Sequence, residues 1–187
     1  GSYMRQAVKR DMDDSAYDFK RVVWPVIKNH CGGQCVVIEG SQATGMDRSF
    51  DTLAGVDTWC VDRDKQVISG IASRIQWGLR VWRTFTVRKS RSSGARTEFR
   101  KRLDSLEAGT LYPTFSVHAY VTRRKTGDLI AAAVIDTREL YRHVAENVCK
   151  IQVNPYDHNE FFVVPWDAFD SKSTLRVFDD ETRDYLP

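Results

Sequence analysis

The segment FDTLAGVDTWCVDRDKQVISGIASRIQWG, residues 50–78, carries two aspartates, Asp51 and Asp57, on either side of Gly55, and an Arg-Ile-Gln run, Arg74 to Gln76, near its end. The charged turn Asp62–Lys65 lies between them. Acids on one arm of a hairpin, with an arginine and an amide on the other, are the residue types of a metal-dependent nuclease site. A guanidinium can clamp phosphate through two parallel hydrogen bonds, and an amide can orient water. Arginine stays protonated, so Arg74 cannot serve as a general base. The same residues also suit a half-buried sheet with ordinary polar side chains on its open face.

Which arrangement holds depends on the elements that carry them. Val56–Val61 and Val67–Trp77 have the composition of strands joined by the polar turn. Residues two apart on a strand share a face. Ile71, Ser73, Ile75 and Trp77 form the apolar set and should face the core. Ala72, Arg74 and Gln76 then look out, into a cleft, and Asp57, Trp59 and Val61 share a face of the other arm. Asp57 and the Arg74–Gln76 pair both sit distal to the turn, so a hairpin brings them close.

The rest of the chain supplies the frame. Residues 12–29 predict a helix, with a kink or break at Pro25 and a stop at Gly32-Gly33. Its expected apolar face includes Tyr17, Phe19, Val22 or Val23, Val26 and Ile27. Residues 34–39 predict a short strand and Arg83–Lys89 another, with Phe85 and Val87 facing one way. Arg96–Leu106 predicts a helix with Phe99, Leu103 and Leu106 on one face. Thr114–Thr122 and Leu129–Ile135 predict a hairpin around the turn RRKTGD. Asp136–Lys150 predicts a helix in which Asp136 and Glu139 resemble a capping box, and Leu140, Val144 and Val148 line one face. Glu160–Val164 and Leu175–Phe178 predict late strands. Hairpins mixed with a few covering helices give one α+β or mixed α/β domain over residues 3–187, with a central mixed, largely antiparallel sheet flanked by helices.

Composition narrows the function classes. The chain has 187 residues and enough apolar content for a real core. No apolar run approaches the length of a membrane span and no signal-peptide pattern opens the chain, so a cytoplasmic protein without a membrane partner is expected. The nucleophile elbow of serine hydrolases, the P-loop and the dinucleotide fingerprint are absent. Cys31 and Cys35 have a spacing within the zinc-knuckle range, but no second close pair follows, and reduced thiols around a glycine turn are expected instead. His118 alternates with apolar neighbours and reads as a satisfied strand histidine. The net charge of +3 says little. Its distribution says more: nine Lys/Arg fall between Arg80 and Arg102 against one acid, Glu98. Such a segment suits a polyanion or a solvated face.

With these parts in place, the chain resembles the divergent PD-(D/E)XK, or restriction-endonuclease-like, nuclease superfamily. The similarity rests on the helix at 12–29, a short strand ending in Glu39, the acids Asp51 and Asp57 with AGVD at 54–57, and a second strand after a turn. It covers roughly residues 12–122. The resemblance implies a restriction-endonuclease-like fold and a Mg²⁺ or Mn²⁺ ion that activates water and stabilises developing charge. Metal ligands would be Asp57 with Asp51 or Glu39, and Asp18 on the first helix is a further candidate. Catalytic roles would fall to Asp57, Arg74 and Gln76. The chain departs from the family's Glu-x-Lys: Ala72 or Arg74 stands where the second carboxylate belongs, and Arg74 or Gln76 where the lysine belongs. The expected partner is nucleic acid, DNA ahead of RNA, held by Arg88, Lys89, Arg91, Arg96, Arg100 and Lys101. The competing expectation is a catalytically inactive nuclease-like module, an adaptor or inhibitor that binds nucleic acid or a protein partner.

Overall fold

The computed structural model describes residues 2–31, 34–37, 58–62, 67–90, 113–155, 158–169 and 175–179. The chain opens with a long helical segment: α1 (Ser2–Asp18), a π-helical stretch (Phe19–Val23) and α2 (Trp24–Cys31). The segment begins well before residue 12, because the polar start of α1 carries little apolar periodicity to announce it. Pro25 sits in the first turn of α2, and the expected interruption takes the form of the π stretch between two α-helices rather than a gap. Proline lacks an amide and its ring crowds the carbonyl four residues back, here that of Arg21. The π stretch widens the helix just ahead of this point, and the Trp24 amide donates to the Phe19 carbonyl. Widening also shifts the apolar stripe. Phe19, Val23 and Ile27 are buried, whereas Tyr17, expected on that face, is exposed.

The strands are β1 (Gln34–Val37), β2 (Thr58–Asp62), β3 (Val67–Trp77), β4 (Thr84–Ser90), β5 (Phe115–Val121), β6 (Leu129–Asp136), β7 (Lys150–Val153), β8 (Glu160–Pro165) and β9 (Leu175–Asp179). Six form one sheet in the order β1-β2-β3-β5-β6-β9. Within it β3 and β5 run parallel and every other neighbouring pair is antiparallel. The remaining three form a second sheet, β4-β8-β7, also antiparallel. With α3 (Thr137–Glu146), this is a single α+β domain whose mixed, largely antiparallel main sheet is flanked by helices.

Each face of the main sheet has its own core. Phe19, Val23 and Ile27 of the first helical segment cover Cys60, Ile71, Ile75, Val117, Ala119, Val121, Ala132 and Val134. On the opposite face Tyr120, Ala131, Ala133 and Ile135 pack under Leu140, Tyr141 and Val144 of α3 and under Phe85, Val87 and Val164 of the small sheet. The expected alternation holds on β3: Ile71 and Ile75 are buried in the helix-side core and Trp77 packs against it. Phe85 and Val87 also face one core, but β4 leaves the main sheet to reach it. Gly78 makes the exit, at a φ of 128° that side chains rarely adopt.

Two expectations around α3 need correction. Asp136 is the N-cap, its carboxylate accepting from the Arg138 and Glu139 amides, but the helix ends at Glu146 rather than Lys150. Val148 lies outside it and is fully exposed, and Lys150 begins β7, a strand absent from the expected order. The helical spacing of Leu140, Val144 and Val148 hides this change from period 3.6 to period 2. The helix expected over 96–106 lies outside the described residues.

Candidate functional site

Residues directly opposite in an antiparallel pair share a face. The small sheet therefore divides cleanly. Phe85 with Val164 and Val87 with Phe162 turn to the α3 side. Thr86 with Val163, Arg88 with Phe161, and, across β8, Lys150 and Gln152 turn the other way. The Thr84 amide donates to the Tyr120 hydroxyl of β5 at 3.1 Å, and Arg74 Nη1 donates to the Thr86 hydroxyl at 3.1 Å. These bonds fix β4 over β5 and β3. The second face of the small sheet and the outward side chains of β3 thus form the walls of a corner.

The corner holds a cleft of about 320 Å³ lined by Arg74 and Gln76 of β3, Trp82, Thr84 and Thr86, Lys150, Gln152 and Asn154, and Phe161 and Val163 of β8. The expectation that Arg74 and Gln76 share a face and open into a cleft is met. Arg74 also lies over the Phe161 ring, 4.8 Å from its centroid, a cation–π contact that holds the guanidinium without neutralising it. Beyond the Arg74–Thr86 bond, a smaller cavity of about 100 Å³ reaches Ser116, His118 and Tyr141.

His118 stands behind Gln76. It is fully buried on β5, stacked on Tyr120 at 5.1 Å between ring centroids, and its Nε2 lies 2.7 Å from Gln76 Oε1. An amide oxygen only accepts, so Nε2 carries the proton and donates. Burial first, and the Arg74 guanidinium second, lower the His118 pKa from 6.5 to about 3. The imidazole is neutral at physiological pH. With its oxygen engaged by His118, Gln76, which lines the cleft, has its NH₂ group left to donate. His118 is the satisfied strand histidine expected of it, and it also orients the Gln76 amide.

Asp18, the acid considered on the first helix, belongs to the opposite face. Its Oδ1 accepts from Arg21 Nη2 at 2.9 Å and Nε at 3.1 Å, and its Oδ2 from Trp77 Nε1 and the Lys125 amide, each at 2.9 Å. Trp77 points to the helix side, as Ile71 and Ile75 do, so Asp18 is separated from the cleft by the sheet itself. Its four hydrogen bonds make it a structural clamp that ties the helix to Trp77 and the β5–β6 turn.

Among the other candidates, Arg88 lies 5.5 Å from the Phe161 ring centroid, and Lys89 pairs with Glu160 at 3.4 Å. Asp57, Asp51, Glu39, Arg91, Arg96, Arg100 and Lys101 lie outside the described residues. No group of three His, Cys, Asp or Glu residues among the described residues could hold a metal ion. Lys150, Gln152, Thr84, Thr86 and Phe161 were not anticipated at the site. The alternation of Lys150 and Gln152 with Ile151 and Val153 is the one signal that could have raised two of them. No protein-family model matches the chain, and no curated protein or solved structure matches it.

Proposed function

We propose that the chain binds nucleic acid, with the corner between β3 and the small sheet holding the phosphate backbone. The observation that carries this reading is the lining of the cleft. Arg74 and Lys150 bring positive charge, amides and hydroxyls bring neutral hydrogen-bonding groups, and no carboxylate is among the described lining residues. Cations and fixed donors converging on a concave surface are what a phosphodiester requires. Arg88 on β4, which shares the face of Thr86, and the basic run beyond β4 extend the same charge along the chain. Binding to a labelled DNA duplex should weaken steeply as salt rises, because each neutralised phosphate releases counterions. Arg74→Ala and Lys150→Ala should each weaken binding and reduce the slope of log affinity against log salt by about 1. The triple replacement of Arg96, Arg100 and Lys101 by Ala should reduce it further while the domain stays folded. Binding that ignores salt, or no binding to DNA or RNA at low salt, overturns the reading.

The second reading, a Mg²⁺- or Mn²⁺-dependent endonuclease, is favoured by the order of elements. A helix precedes three antiparallel strands, β2 begins at the residue after Asp57, and β2 pairs with the strand that carries Arg74 and Gln76. This is the arrangement the PD-(D/E)XK resemblance implies. The described side chains do not by themselves fit a divalent metal. At the positions of the family's Glu-x-Lys, β3 offers Ala72, Arg74 and Gln76, none of which is an anionic oxygen ligand or a titratable base. A metal would rest on Asp51, Asp57 and Glu39. Asp57→Asn should abolish Mn²⁺-dependent cleavage while sparing DNA binding. A wild type inert on every DNA and RNA form with metal present leaves the binding module, an adaptor or inhibitor, as the function.

A further inference from the structure

The cleft holds more than a phosphate clamp needs. Beside its cations it contains Trp82, Phe161 and Val163, and two further amides, Gln152 and Asn154. Backbone phosphates gain nothing from aromatic surface and use only the N–H side of an amide. Bases use more: aromatic rings stack on them, and amides match their mixed donor and acceptor edges. Trp82 is 50% exposed in the segment between β3 and β4. Its ring rests against Tyr120 at 6.5 Å and Arg80 at 5.0 Å. It is anchored on the protein side and keeps area for a ligand. The volume of about 320 Å³ sits at the lower end of small-molecule pockets. It admits a unit the size of one nucleotide, whereas a duplex can offer it only backbone phosphate.

We propose that this corner is a subsite for one unpaired nucleotide of a single strand, with the base stacked on Trp82, its edge read by Gln152 and Asn154, and the adjoining phosphate held by Arg74, Lys150 and the Gln76 amide. The proposal rests on the nucleic-acid reading above and adds the strandedness of the ligand. His118 is a positioning residue in it. By donating to Gln76 Oε1 it orients that amide and leaves its N–H groups as donors, which suits a phosphate oxygen.

The test uses the whole chain and fluorescence anisotropy at low salt. The probes are a labelled single strand of about 12 nucleotides, within the range one such binding surface covers, and the same sequence as a duplex. Wild type should prefer the single strand. Trp82→Ala should lower single-strand affinity about tenfold or more, the size of a lost base–aromatic stack, and lower duplex affinity far less. Trp82→Phe should restore most of the loss. Gln76→Glu keeps an acceptor for His118 but turns a carboxylate to the phosphate, and should abolish the single-strand preference. Trp82 lies outside both cores, so its variant should fold. Gln152→Ala, on an exposed strand, gives an independent variant and should also reduce single-strand affinity. If Trp82→Ala weakens both probes equally or neither, or if polyglutamate competes for the cleft as well as the single strand does, the subsite is refuted. Salt-dependent duplex binding would then still support the broader reading. A wild type that binds no nucleic acid at all removes both.

Discussion

Asp18→Asn separates a structural acid from a chemical one more sharply than any other single change. The native carboxylate receives four donors in a fully buried position: two guanidinium nitrogens of Arg21, the Trp77 indole and the Lys125 amide. An asparagine of the same shape has one acceptor oxygen. Its NH₂ group must face either the Arg21 fork or the Trp77–Lys125 pair, donor against donor. Breaking one side of a buried ion pair costs about 3–5 kcal/mol. Arg21 keeps its bond to the Gly127 carbonyl at 2.7 Å and 28% of its side chain stays in water, so the lower end applies, about 3 kcal/mol. Against a total of about 5–15 kcal/mol this is a large loss. In a domain of this size it should lower Tm by about 6–12 °C. Urea unfolding should show an earlier midpoint at unchanged slope. In a Trp77→Phe background, where one donor is already gone, the same substitution should cost less. Nucleic-acid binding by the folded variant, measured well below its Tm, should equal wild type. An Asp18→Asn protein as stable as wild type refutes the clamp. One that stays folded but has lost binding or metal-dependent cleavage places Asp18 in the site instead.

Ile75→Ala removes a buried side chain from the helix-side core and should cost about 2–5 kcal/mol in urea titration, with Arg74→Ala costing far less. Gly127→Ala should destabilise the domain by about 3 kcal/mol, because the added carbon falls on the Arg123 backbone and the Thr122 hydroxyl, inside the turn that Arg21 holds. His118 has a folded pKa depressed from 6.5 to about 3, so its contribution to stability is complete above pH 6.5 and is lost as the pH falls towards 3, where the unfolded chain alone binds the proton. The unfolding free energy from urea titrations between pH 4 and 6 should therefore fall, as the pH is lowered, by up to about 1.4 kcal/mol per pH unit from this group, and His118→Gln should remove that part; an unchanged pH slope in the variant rules out the neutral buried histidine.

How much of this the chain announces depends on burial. The alternation in Ile71–Trp77 is legible because one face of β3 packs against a helix and the other opens on the cleft, and a period of two has only two faces to choose from. The alternation in Thr84–Ser90 is as clear, yet it does not say which sheet the strand joins. Phe85 and Val87 would be apolar in either. The choice is made by Gly78 and by the Tyr120 hydroxyl, contacts that no local pattern encodes. β7 is less legible still. All four of its residues are exposed, so no core imposes a pattern on it, and the preceding apolar spacing of α3 runs on into Val148. The site suffered accordingly. Arg74 and Gln76, on a half-buried strand, could be assigned to a cleft. Lys150 and Gln152, on a solvent-exposed edge, could not.

Among the described residues, the position of the acids bears on how a chain with so small a net charge has a cleft lined by Arg74 and Lys150. Asp11 and Asp14 of α1 take Arg124, at 2.6 and 3.2 Å, and Asp14 takes Lys125 at 3.7 Å. Asp18 takes Arg21 on the same face. Arg124 also lies over the Trp77 ring at 3.9 Å, so this group ties the β5–β6 turn to the helix and the end of β3 at once. On the far side Asp179 takes Arg83 at 2.8 Å and Glu160 takes Lys89 at 3.4 Å. Each of these carboxylates has a cation of its own, and none lines the corner. Exposed pairs among them add little stability, because water and salt screen them. Their larger consequence is spatial. By holding these acids beside other cations, they keep the described carboxylates away from the concave site that Arg74 and Lys150 line, and low-dielectric walls focus a field rather than spread it. Among the described residues, the cationic lining of the corner therefore follows from where these acids sit, which the net charge of +3 does not record.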